Sequence, residues 1–417
     1  MNPPAPHHHA PADDVGVSGL DIVCVATAER GVVRSVTEYT TEGFARSGNR
    51  VLLVEPFGSW ITLARAARQQ GRRRAARPRL ERLGESLWVY RPPPVGLPGT
   101  SRLGWAGEAN GRLLARLLRA GPLRELGFGR PVLWSQRHDA AGLFRAFPDA
   151  RLRIYECGDF DAALARDARH RAVVLSQEAA TCRAADLVFA VTEELAARRR
   201  AHNPRAHAVN CAADPDFFGR ALDPATRVPE ALARLPRPVV GYLGSLDPWK
   251  IDVPLLLHLA RSHPGWSVAL AGYVWFGFDP APLAACPNIH VLGPQPYEDF
   301  PALLKGMDVC VMPFPLNEIT RNGDALKLYE YLAGGRPVVS TDVPAARRLA
   351  GAGQRAVRIA ATPETFAAAV EAALSDPPGA AAERAAAVRG GHTWLHRNRQ
   401  KAALIREALA RRGAAGQ

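Results

Sequence analysis

The stretch that decides the fold is Pro313–Pro344, PFPLNEITRNGDALKLYEYLAGGRPVVSTDVP. It leaves an apolar run typical of a buried strand, crosses a polar loop, and enters a helix near Gly323. Gly334 and Gly335 follow as the predicted C-terminal cap of that helix, and Pro337–Ser340 begins another apolar run. A strand, a helix and a strand in this order, with strands apolar on both faces, indicate a parallel sheet.

The start of this helix has the chemistry of an anion site. The first N–H groups of a helix are unpaired and carry the positive end of its dipole, so they attract phosphate. Arg321 and Lys327 add positive charge, and Glu330 lies one to two turns further on, where a carboxylate can accept hydrogen bonds from two ribose hydroxyls. An amphipathic helix with a charged surface is the alternative, but it leaves the polar loop 317–324 unexplained.

Strands and helices alternate on both sides of this stretch. The apolar runs that we predict as strands are 20–26, 50–55, 87–90, 131–135, 152–156, 187–191, 239–243, 266–271, 289–292, 308–312 and 336–340. Residues 211–238 hold five Pro and little periodicity, as a linker between domains would. We therefore predict two doubly wound α/β domains, 19–210 and 239–391, with the ligand site in the cleft between them, after a disordered tail at 1–18.

Composition excludes several classes of protein. The 417 residues are 47% apolar and 22% charged, which is ordinary for a globular protein, and no apolar run reaches the roughly 18 residues of a membrane span. No secretory signal is visible. The six Cys show no C-x-x-C spacing, so we expect reduced thiols, no zinc site and a cytoplasmic location.

The formal net charge of +13 comes from 49 Arg and only 4 Lys, in a chain rich in Ala, Gly and Pro. This pattern resembles coding bias, so we expect no nucleic-acid partner. The excess lies mostly in residues 1–220, which hold 32 basic and 23 acidic residues, against 21 and 17 in the rest. Arg65–Arg82 alone contains eight Arg and one acid. It is either a solvated face or a surface that docks on an anionic leaflet at the inner side of a membrane.

The run Lys327–Thr341, KLYEYLAGGRPVVST, resembles the donor-site signature of nucleotide-sugar glycosyltransferases with the GT-B fold, in the retaining family 4 (group 1). Val239–Lys250 resembles the family's G-R-L-x-x-x-K segment, and Asn210–Phe218 resembles N-G-V-D-x-x-x-F. Ala184–Leu195 is similar to A-D-x-V-x-x-x-S-x-x-L, and L-N-E-x-T-R resembles a subgroup often found with cell-surface polysaccharide genes. The resemblance implies two Rossmann-like domains facing across a cleft, and a last helix at 392–417 that crosses back to the first domain.

In this family a Glu–x7–Glu motif binds the donor. Its second Glu, which contacts the ribose, corresponds to Glu330, whereas its first, which contacts the transferred sugar, is Asn322 here. The Arg of the family's diphosphate-binding pair is Ser245 and the Lys is Lys250, so the resemblance leaves other cations to replace the lost charge. The donor-binding candidates are Gly244, Ser245, Lys250, Asn317, Thr320, Arg321, Asn322, Gly323, Asp324, Lys327 and Glu330.

The first domain is expected to supply the acceptor site and catalytic groups, because polar residues follow two of its strands. His138 follows one of them, near a point where the family often has a functional His, although an ordinary loop histidine is the alternative. Glu156 and Asp159 follow the next strand. We take His138, Glu156 and Asp159 as catalytic candidates, and Arg34 and Arg137 as acceptor-binding candidates.

Two D-x-D triplets, Asp159–Asp161 and Asp214–Asp216, would suggest a metal site in the other, single-domain glycosyltransferase fold. The donor signature argues against that fold, and helix capping is the alternative role for Asp159 or Asp161. We expect no metal and no cofactor, with the nucleotide sugar as a substrate.

The resemblance implies transfer of a sugar from a nucleotide diphosphate sugar to a hydroxyl group with retention of configuration. The acceptor would be a glycan, a lipid-linked molecule or a small molecule, in polysaccharide or glycoconjugate synthesis. The alternatives are a non-catalytic nucleotide-sugar or polyanion binder, because Asn322 and Ser245 depart from the motif, and a nucleotide-sugar epimerase on the same scaffold.

Overall fold

The computed structural model describes residues 14–30, 34–61, 64, 79–98, 103–351, 356–377 and 379–414. These residues form two sheets. The first has β1 (Asp21–Val25), β2 (Arg50–Val54), β3 (Arg79–Arg82), β4 (Leu87–Arg91), β5 (Val132–Ser135), β6 (Leu152–Cys157), β7 (Leu187–Ala190) and β8 (Ala206–Ala208). The second has β9 (Val239–Leu243), β10 (Ser267–Ala271), β11 (Ile289–Gly293), β12 (Val309–Met312), β13 (Val338–Thr341) and β14 (Val357–Ala360).

Helices connect the strands. In the first half they are α1 (Val36–Arg46), α2 (Gly104–Ala120), α3 (Pro122–Glu125), α4 (Ala141–Ala146), α5 (Ala168–Ala184), α6 (Glu193–Arg200), α7 (Pro215–Gly219) and α8 (Glu230–Ala233). In the second half they are α9 (Val253–Ser262), α10 (Phe300–Gly306), α11 (Glu318–Asn322), α12 (Leu326–Ala333), α13 (Pro344–Ala350), α14 (Pro363–Leu374), α15 (Ala380–Gly391) and α16 (Trp394–Ala414). Short 3-10 turns lie at Asp161–Leu164, Arg220–Leu222, Ala281–Ala285 and Tyr297–Asp299.

Both sheets have the doubly wound strand order. The first runs β3-β4-β2-β1-β5-β6-β7-β8 and the second β11-β10-β9-β12-β13-β14. Neighbouring strands are parallel throughout, except that β3 pairs antiparallel to β4 at an edge. The prediction of two doubly wound α/β domains is confirmed, and the carboxyl ends of the central strands mark where each domain binds a ligand.

The structure adds three features that the sequence did not predict. The chain is ordered before residue 19, because Val15 and Val17 are buried and the N–H of Val15 donates to Ser47 Oγ at 3.1 Å. The predicted linker contains α7 and α8, and Phe218 within it is fully buried. The edge strands β3, β8 and β14 were not predicted, because short strands of three or four residues carry too little periodicity.

The last helix, α16, packs on the first domain. Ala402 and Ile405 are buried in the same apolar cluster as β1, β5 and Phe44 of α1. Asn398 Nδ2 donates to the carbonyl of Tyr39 at 3.2 Å, which ties α16 to α1. None of the helices in the described ranges is long and apolar enough to cross a membrane.

Candidate functional site

The central strands of the second sheet end at two glycines that touch. Gly244 follows β9 with φ +142°, and Gly272 follows β10 with φ +154°, conformations that residues with a side chain rarely adopt. A Cβ on Gly272 would lie 1.9 Å from the Gly244 carbonyl oxygen, and a Cβ on Gly244 would lie 2.7 Å from Cε of Lys327. Glycine at both positions therefore lets the loop after β9 lie directly against Lys327.

Lys327 is held among aromatic groups. Its Nζ donates to Tyr242 Oη at 3.0 Å and lies 4.9 Å from the centre of the Tyr242 ring and 5.3 Å from that of Phe314. Burial lowers the pKa of Lys327, while the carboxylates of Asp247 and Glu330 oppose that change. An ammonium group in such a position gains from any additional anion that enters the loop.

The helix behind Lys327 begins at Leu326, three residues later than predicted, because α11 forms a separate turn before it. Ala325 at its N-cap provides no side-chain hydrogen bond. Side chains cap α9, α11 and α14, whereas α10, α13 and α15 lack a side-chain cap as α12 does. What distinguishes the uncapped N–H groups of α12 is the ammonium group of Lys327 beside them, and this combination fits a phosphate. The C-terminal cap at Gly334–Gly335 is confirmed, with Gly335 at φ +72°.

The two further predicted cations are Lys250, whose charge acts on Tyr242 beside Lys327, and Arg321, which is exposed on α11. Within the residues that the structure describes, neither Lys250 nor Arg321 makes a side-chain hydrogen bond or ion pair. Asn317 Nδ2 donates to the carbonyl of Trp249 at 2.7 Å and so joins the Lys250 loop to the start of α11. Lys250 also acts across the cleft, because its charge lowers the pKa of Asp159, although burial and neighbouring carboxylates raise that pKa overall.

Five predicted donor-binding side chains are already engaged within the protein. Asn317 and Thr320 form the capping box of α11, and Ser245 Oγ donates to Asp247 at 2.8 Å. Asn322 Nδ2 donates to the Glu318 carbonyl at 2.7 Å. In the state described these side chains therefore support the loop, and their donor contacts remain a prediction.

Asp324 is the fifth predicted donor-binding residue whose side chain is engaged within the protein. Its carboxylate is fully buried and accepts from the N–H of Cys211 at 2.7 Å, from Arg348 at 2.7 Å and from Tyr329 Oη at 3.1 Å. Cys211 is the first residue of the segment that joins the domains, so Asp324 bonds the donor loop to that segment. Gly323, which precedes it, lies opposite the first domain: a Cβ there would be 3.9 Å from Asp159 Oδ1.

Glu330 is buried and makes no side-chain hydrogen bond among the described residues. Burial raises its pKa from 4.5 to about 7, partly offset by Lys327. Its charge in turn raises the pKa values of Tyr39 and Tyr297, which places all three groups together. Tyr39 of α1 and Tyr297 after β11 share a hydrogen bond between the two domains. A ribose bound at Glu330 would therefore lie beside this tyrosine pair.

Arg34 lies at the same place, but not inside α1, since it precedes the N-cap Ser35. Its guanidinium stacks 4.5 Å from the centre of the Tyr39 ring and pairs with Glu42 at 2.7 Å. Arg34 therefore faces the Tyr39–Tyr297 contact. Its predicted acceptor role remains a prediction.

His138 and Asp161 form a pair on the first-domain side of the cleft, with Nδ1 2.7 Å from Oδ2. Burial lowers the pKa of His138, but the hydrogen bond to Asp161 and the charges of Asp139 and Asp161 outweigh it, so the net pKa lies above 6.5. Asp161 does not cap the 3-10 turn that it starts. The side chain of Asp159 keeps a solvent-accessible surface although neighbouring protein atoms desolvate its carboxylate, and it lies within reach of the charges of Asp161 and Lys250.

Arg137 does not face an acceptor freely. Its guanidinium is bound twice by Asp139, at 2.8 and 2.7 Å, and Asp139 is buried. The pair lines a cavity of about 20 Å³ inside the first domain, with Asn110 and Ser135. A cation neutralised in this way holds the loop after β5 in place, and the acceptor contact of Arg137 remains a prediction.

Glu156 lies away from the cleft residues described above. Its carboxylate is buried on the face of the sheet that α16 covers, where it accepts from Lys401 at 2.6 Å and from Trp134 Nε1 at 2.9 Å. Lys401 also donates to Thr40 Oγ1 at 3.0 Å. Glu156 is therefore part of the attachment of α16, and its catalytic role remains a prediction.

The sequence did not point to Arg171, Tyr39 or Tyr297. Arg171 of α5 binds Glu318 of α11 through two hydrogen bonds, at 2.6 and 2.8 Å, across the mouth of the cleft. Tyr297 follows β11 at the carboxyl edge of the sheet, where parallel strands present ligand-binding groups. Its position after a predicted strand could therefore have identified it as a site residue from the sequence.

Over the described ranges, no three His, Cys, Asp or Glu side chains are grouped as a metal site. The D-x-D residues have other partners: Asp214 caps α7 and Asp216 pairs with Arg389 at 2.7 Å.

Comparisons with known proteins agree with this geometry. The family model described as "Glycosyl transferases group 1" matches residues 237–376, which is the second domain up to the end of α14. A curated relative in Bacillus subtilis (strain 168), which carries the provisional name of teichuronic acid biosynthesis glycosyltransferase TuaH, is 28% identical over 118 residues. That match covers 27% of this chain and 28% of the relative's length.

Solved structures match nearly the whole chain. A sucrose-phosphate synthase from Thermosynechococcus elongatus aligns with a TM-score of 0.70 and 15% identity, covering 94% of this chain and 100% of that one. Anabaena Alr3699/HepE, solved with UDP and glucose, aligns with a TM-score of 0.62 and 16% identity, covering 93% and 99%. These identities establish the fold alone. The second domain thus resembles the group 1 glycosyltransferases, and the whole chain has the GT-B fold of two Rossmann-like domains.

Proposed function

We propose that this chain transfers a sugar from a nucleotide diphosphate sugar to a hydroxyl acceptor, with retention and without a metal, in polysaccharide or glycoconjugate synthesis. The observation that carries the proposal is the convergence of Lys250, Lys327 and the uncapped start of α12, one turn from the buried carboxylate of Glu330. HepE, of the same fold, has been solved with UDP-glucose, which supports this donor class. The name of TuaH refers to teichuronic acid biosynthesis, which supports this pathway.

The chemistry follows from where the charges lie. As the bond between sugar and diphosphate breaks, negative charge grows on the leaving phosphate, and fixed cations and N–H groups stabilise it. The acceptor hydroxyl then loses its proton to the departing phosphate oxygen, so no protein nucleophile is needed. Asp159 and the His138–Asp161 pair, on the opposite wall, position the sugar and the acceptor.

Binding is tested first, by thermal shift with UDP, GDP and ADP and their glucose conjugates. We expect one nucleotide to stabilise the wild-type protein, and Lys250→Ala and Glu330→Ala to abolish that shift. Lys305→Ala is the matched control. Lys305 lies on α10, and its ammonium group donates to the carbonyls of Asp223 and Pro224 rather than to the donor loop. The donor site would be refuted if no nucleotide changed the melting temperature of the wild-type protein. It would also be refuted if both site variants showed the same nucleotide-induced shift as the wild type.

Turnover is tested by release of nucleoside diphosphate in the presence of candidate acceptors, with and without EDTA. We expect release that survives EDTA, and a product anomer that matches the donor. Binding without release for every acceptor would indicate the non-catalytic binder, and conversion of the donor sugar without acceptor would indicate the epimerase. Loss of activity in EDTA would contradict metal independence.

A further inference from the structure

The Arg-rich run at 65–82 is described only in its last four residues, which form β3, because 65–78 lie outside the described residues. Its docking on a membrane therefore remains a prediction. A contact between the two domains, in contrast, is described completely.

This contact is a hydrogen bond between two tyrosines beside the carboxylate of Glu330. Tyr39 belongs to α1 of the first domain, Tyr297 begins the 3-10 turn after β11 of the second, and their hydroxyl groups are bonded to each other. Burial raises the pKa of both tyrosines, and the charge of Glu330 adds to that rise, which requires its carboxylate to lie near both hydroxyl groups. Glu330 is only 7% exposed and Tyr39 only 5%. In this conformation a ribose hydroxyl therefore cannot reach the carboxylate assigned to it.

Aromatic side chains from both connections between the domains hold the tyrosine pair. Phe217, in the segment that leads from the first domain to the second, stacks on Tyr297 with ring centres 4.7 Å apart and planes 3° from parallel. Trp394, where the chain returns to the first domain, stacks on Tyr39 at 4.6 Å and 13°. Each tyrosine is thus fixed by a residue from a different connection, and such stacks favour one relative position of the rings.

The guanidinium of Arg34 adds to this contact from the first domain. It lies 4.5 Å from the centre of the Tyr39 ring and 5.9 Å from that of Tyr297. A cation over the face of an aromatic ring is attracted to it, so a guanidinium that lies over both rings favours their staying together.

We propose that Tyr39 and Tyr297 form a latch that closes the ribose site, and that the nucleotide enters only after their hydrogen bond breaks. A site that is open for only a fraction of the time binds its ligand more weakly by that fraction. The latch therefore slows association of the nucleotide, whereas dissociation starts from the open latch and does not depend on the hydrogen bond. The identity of the ligand rests on the proposed transferase function, but the closure of position 330 by the pair does not.

The first test measures access to position 330 without a nucleotide. In a Glu330→Cys protein, the rate at which N-ethylmaleimide labels the thiol reports how often this position is exposed, because the six other cysteines are buried. We expect Tyr297→Phe, added to Glu330→Cys, to increase that rate roughly three- to tenfold, the effect of losing one hydrogen bond. Tyr155→Phe is the matched control, since it removes a buried hydroxyl that donates to Glu178 within the first domain, at 2.8 Å. Equal labelling rates in the two backgrounds would overturn the latch.

The second test measures binding of UDP, GDP and ADP by stopped-flow tryptophan fluorescence. Trp394 supplies a signal at the site, because it stacks on Tyr39. We expect Tyr39→Phe and Tyr297→Phe each to raise the association rate constant and to lower Kd by roughly three- to tenfold, with dissociation unchanged. The double variant should equal either single variant, because both substitutions remove the same hydrogen bond.

Wild-type association rates in variants that bind a nucleotide would overturn the latch. Additive effects in the double variant would do the same, because the two hydroxyl groups would then act separately. Faster dissociation alone would also overturn it, and would make the tyrosines direct contacts of the nucleotide. If no protein binds a nucleotide while Tyr297→Phe still speeds labelling at position 330, the donor site is refuted and the closure of position 330 by the pair stands.

Discussion

Lys401 Nζ lies 2.6 Å from Oε1 of Glu156, and this buried ion pair attaches the last helix of the chain to the middle of the first sheet. Removal of one member of a buried pair leaves an uncompensated charge, which costs about 3–5 kcal/mol. We expect Lys401→Met to lower the free energy of unfolding by that amount in urea titrations. The double variant Glu156→Gln/Lys401→Met should recover most of the loss, because neither charge remains and the amide oxygen can still accept from Trp134.

The same double variant tests the role of Glu156. Because its carboxylate lies on the face covered by α16, we expect kcat within roughly twofold of the wild type once the folded fraction is equal. If kcat of a folded Glu156→Gln/Lys401→Met protein were 100-fold or more below that of the wild type, Glu156 would be a catalytic residue.

The ionised carboxylate of Glu330 should lower the free energy of unfolding, because it is buried without a hydrogen-bond partner among the described residues. Burial raises its pKa in the folded protein from 4.5 to about 7, so the penalty is absent below pH 4.5, grows between pH 4.5 and 7, and is complete above pH 7. We expect Glu330→Gln to be more stable than the wild type at pH 8, by up to about 3 kcal/mol, with the difference vanishing near pH 4.5. Nucleotide affinity should fall in the same variant. Lower stability at pH 8 would contradict the buried, unpaired carboxylate.

The His138–Asp161 pair should stabilise the folded protein at low pH, whereas Glu330 should destabilise it at high pH. Because the folded pKa of His138 is raised, the pair stabilises the protein below pH 6.5, and this contribution disappears as the pH rises through the raised value. We expect Asp161→Asn to lower the pKa of His138 measured by NMR, and to destabilise the protein at pH 6 but not at pH 9. An unchanged imidazole titration would show that the pair does not form in solution.

The Arg171–Glu318 contact should bias the two domains towards closure. We expect Arg171→Glu to increase the radius of gyration in X-ray scattering and to raise the KM for the donor, because like charges then face each other across the cleft. The charge swap Arg171→Glu/Glu318→Arg should restore both values. Arg200→Ala, which breaks an exposed ion pair within α6, is the control. If the charge swap restored neither the radius of gyration nor the KM, the Arg171–Glu318 contact would not control how closely the two domains approach.

The sequence predicted the architecture because the strands are apolar runs with regular helical separations. It also predicted Lys250, Lys327 and Glu330 at one site, since the resemblance placed them there and residues after parallel strands meet at one edge of a sheet. It could not show that Asp324 or Glu156 is satisfied inside the protein. Whether a carboxylate faces a cleft or a buried cation depends on partners such as Arg348 and Lys401, which are distant in the chain.

The carboxylate of Asp324 binds the N–H of Cys211, where the chain passes between the domains. This hydrogen bond joins the segment between the domains to the predicted donor loop. On the proposed function, we expect rotation of the domains to move this loop and to change the shape of the donor site. Loosening the loop to broaden the choice of donor should then alter that rotation as well, so catalytic rate and sugar selectivity should change together.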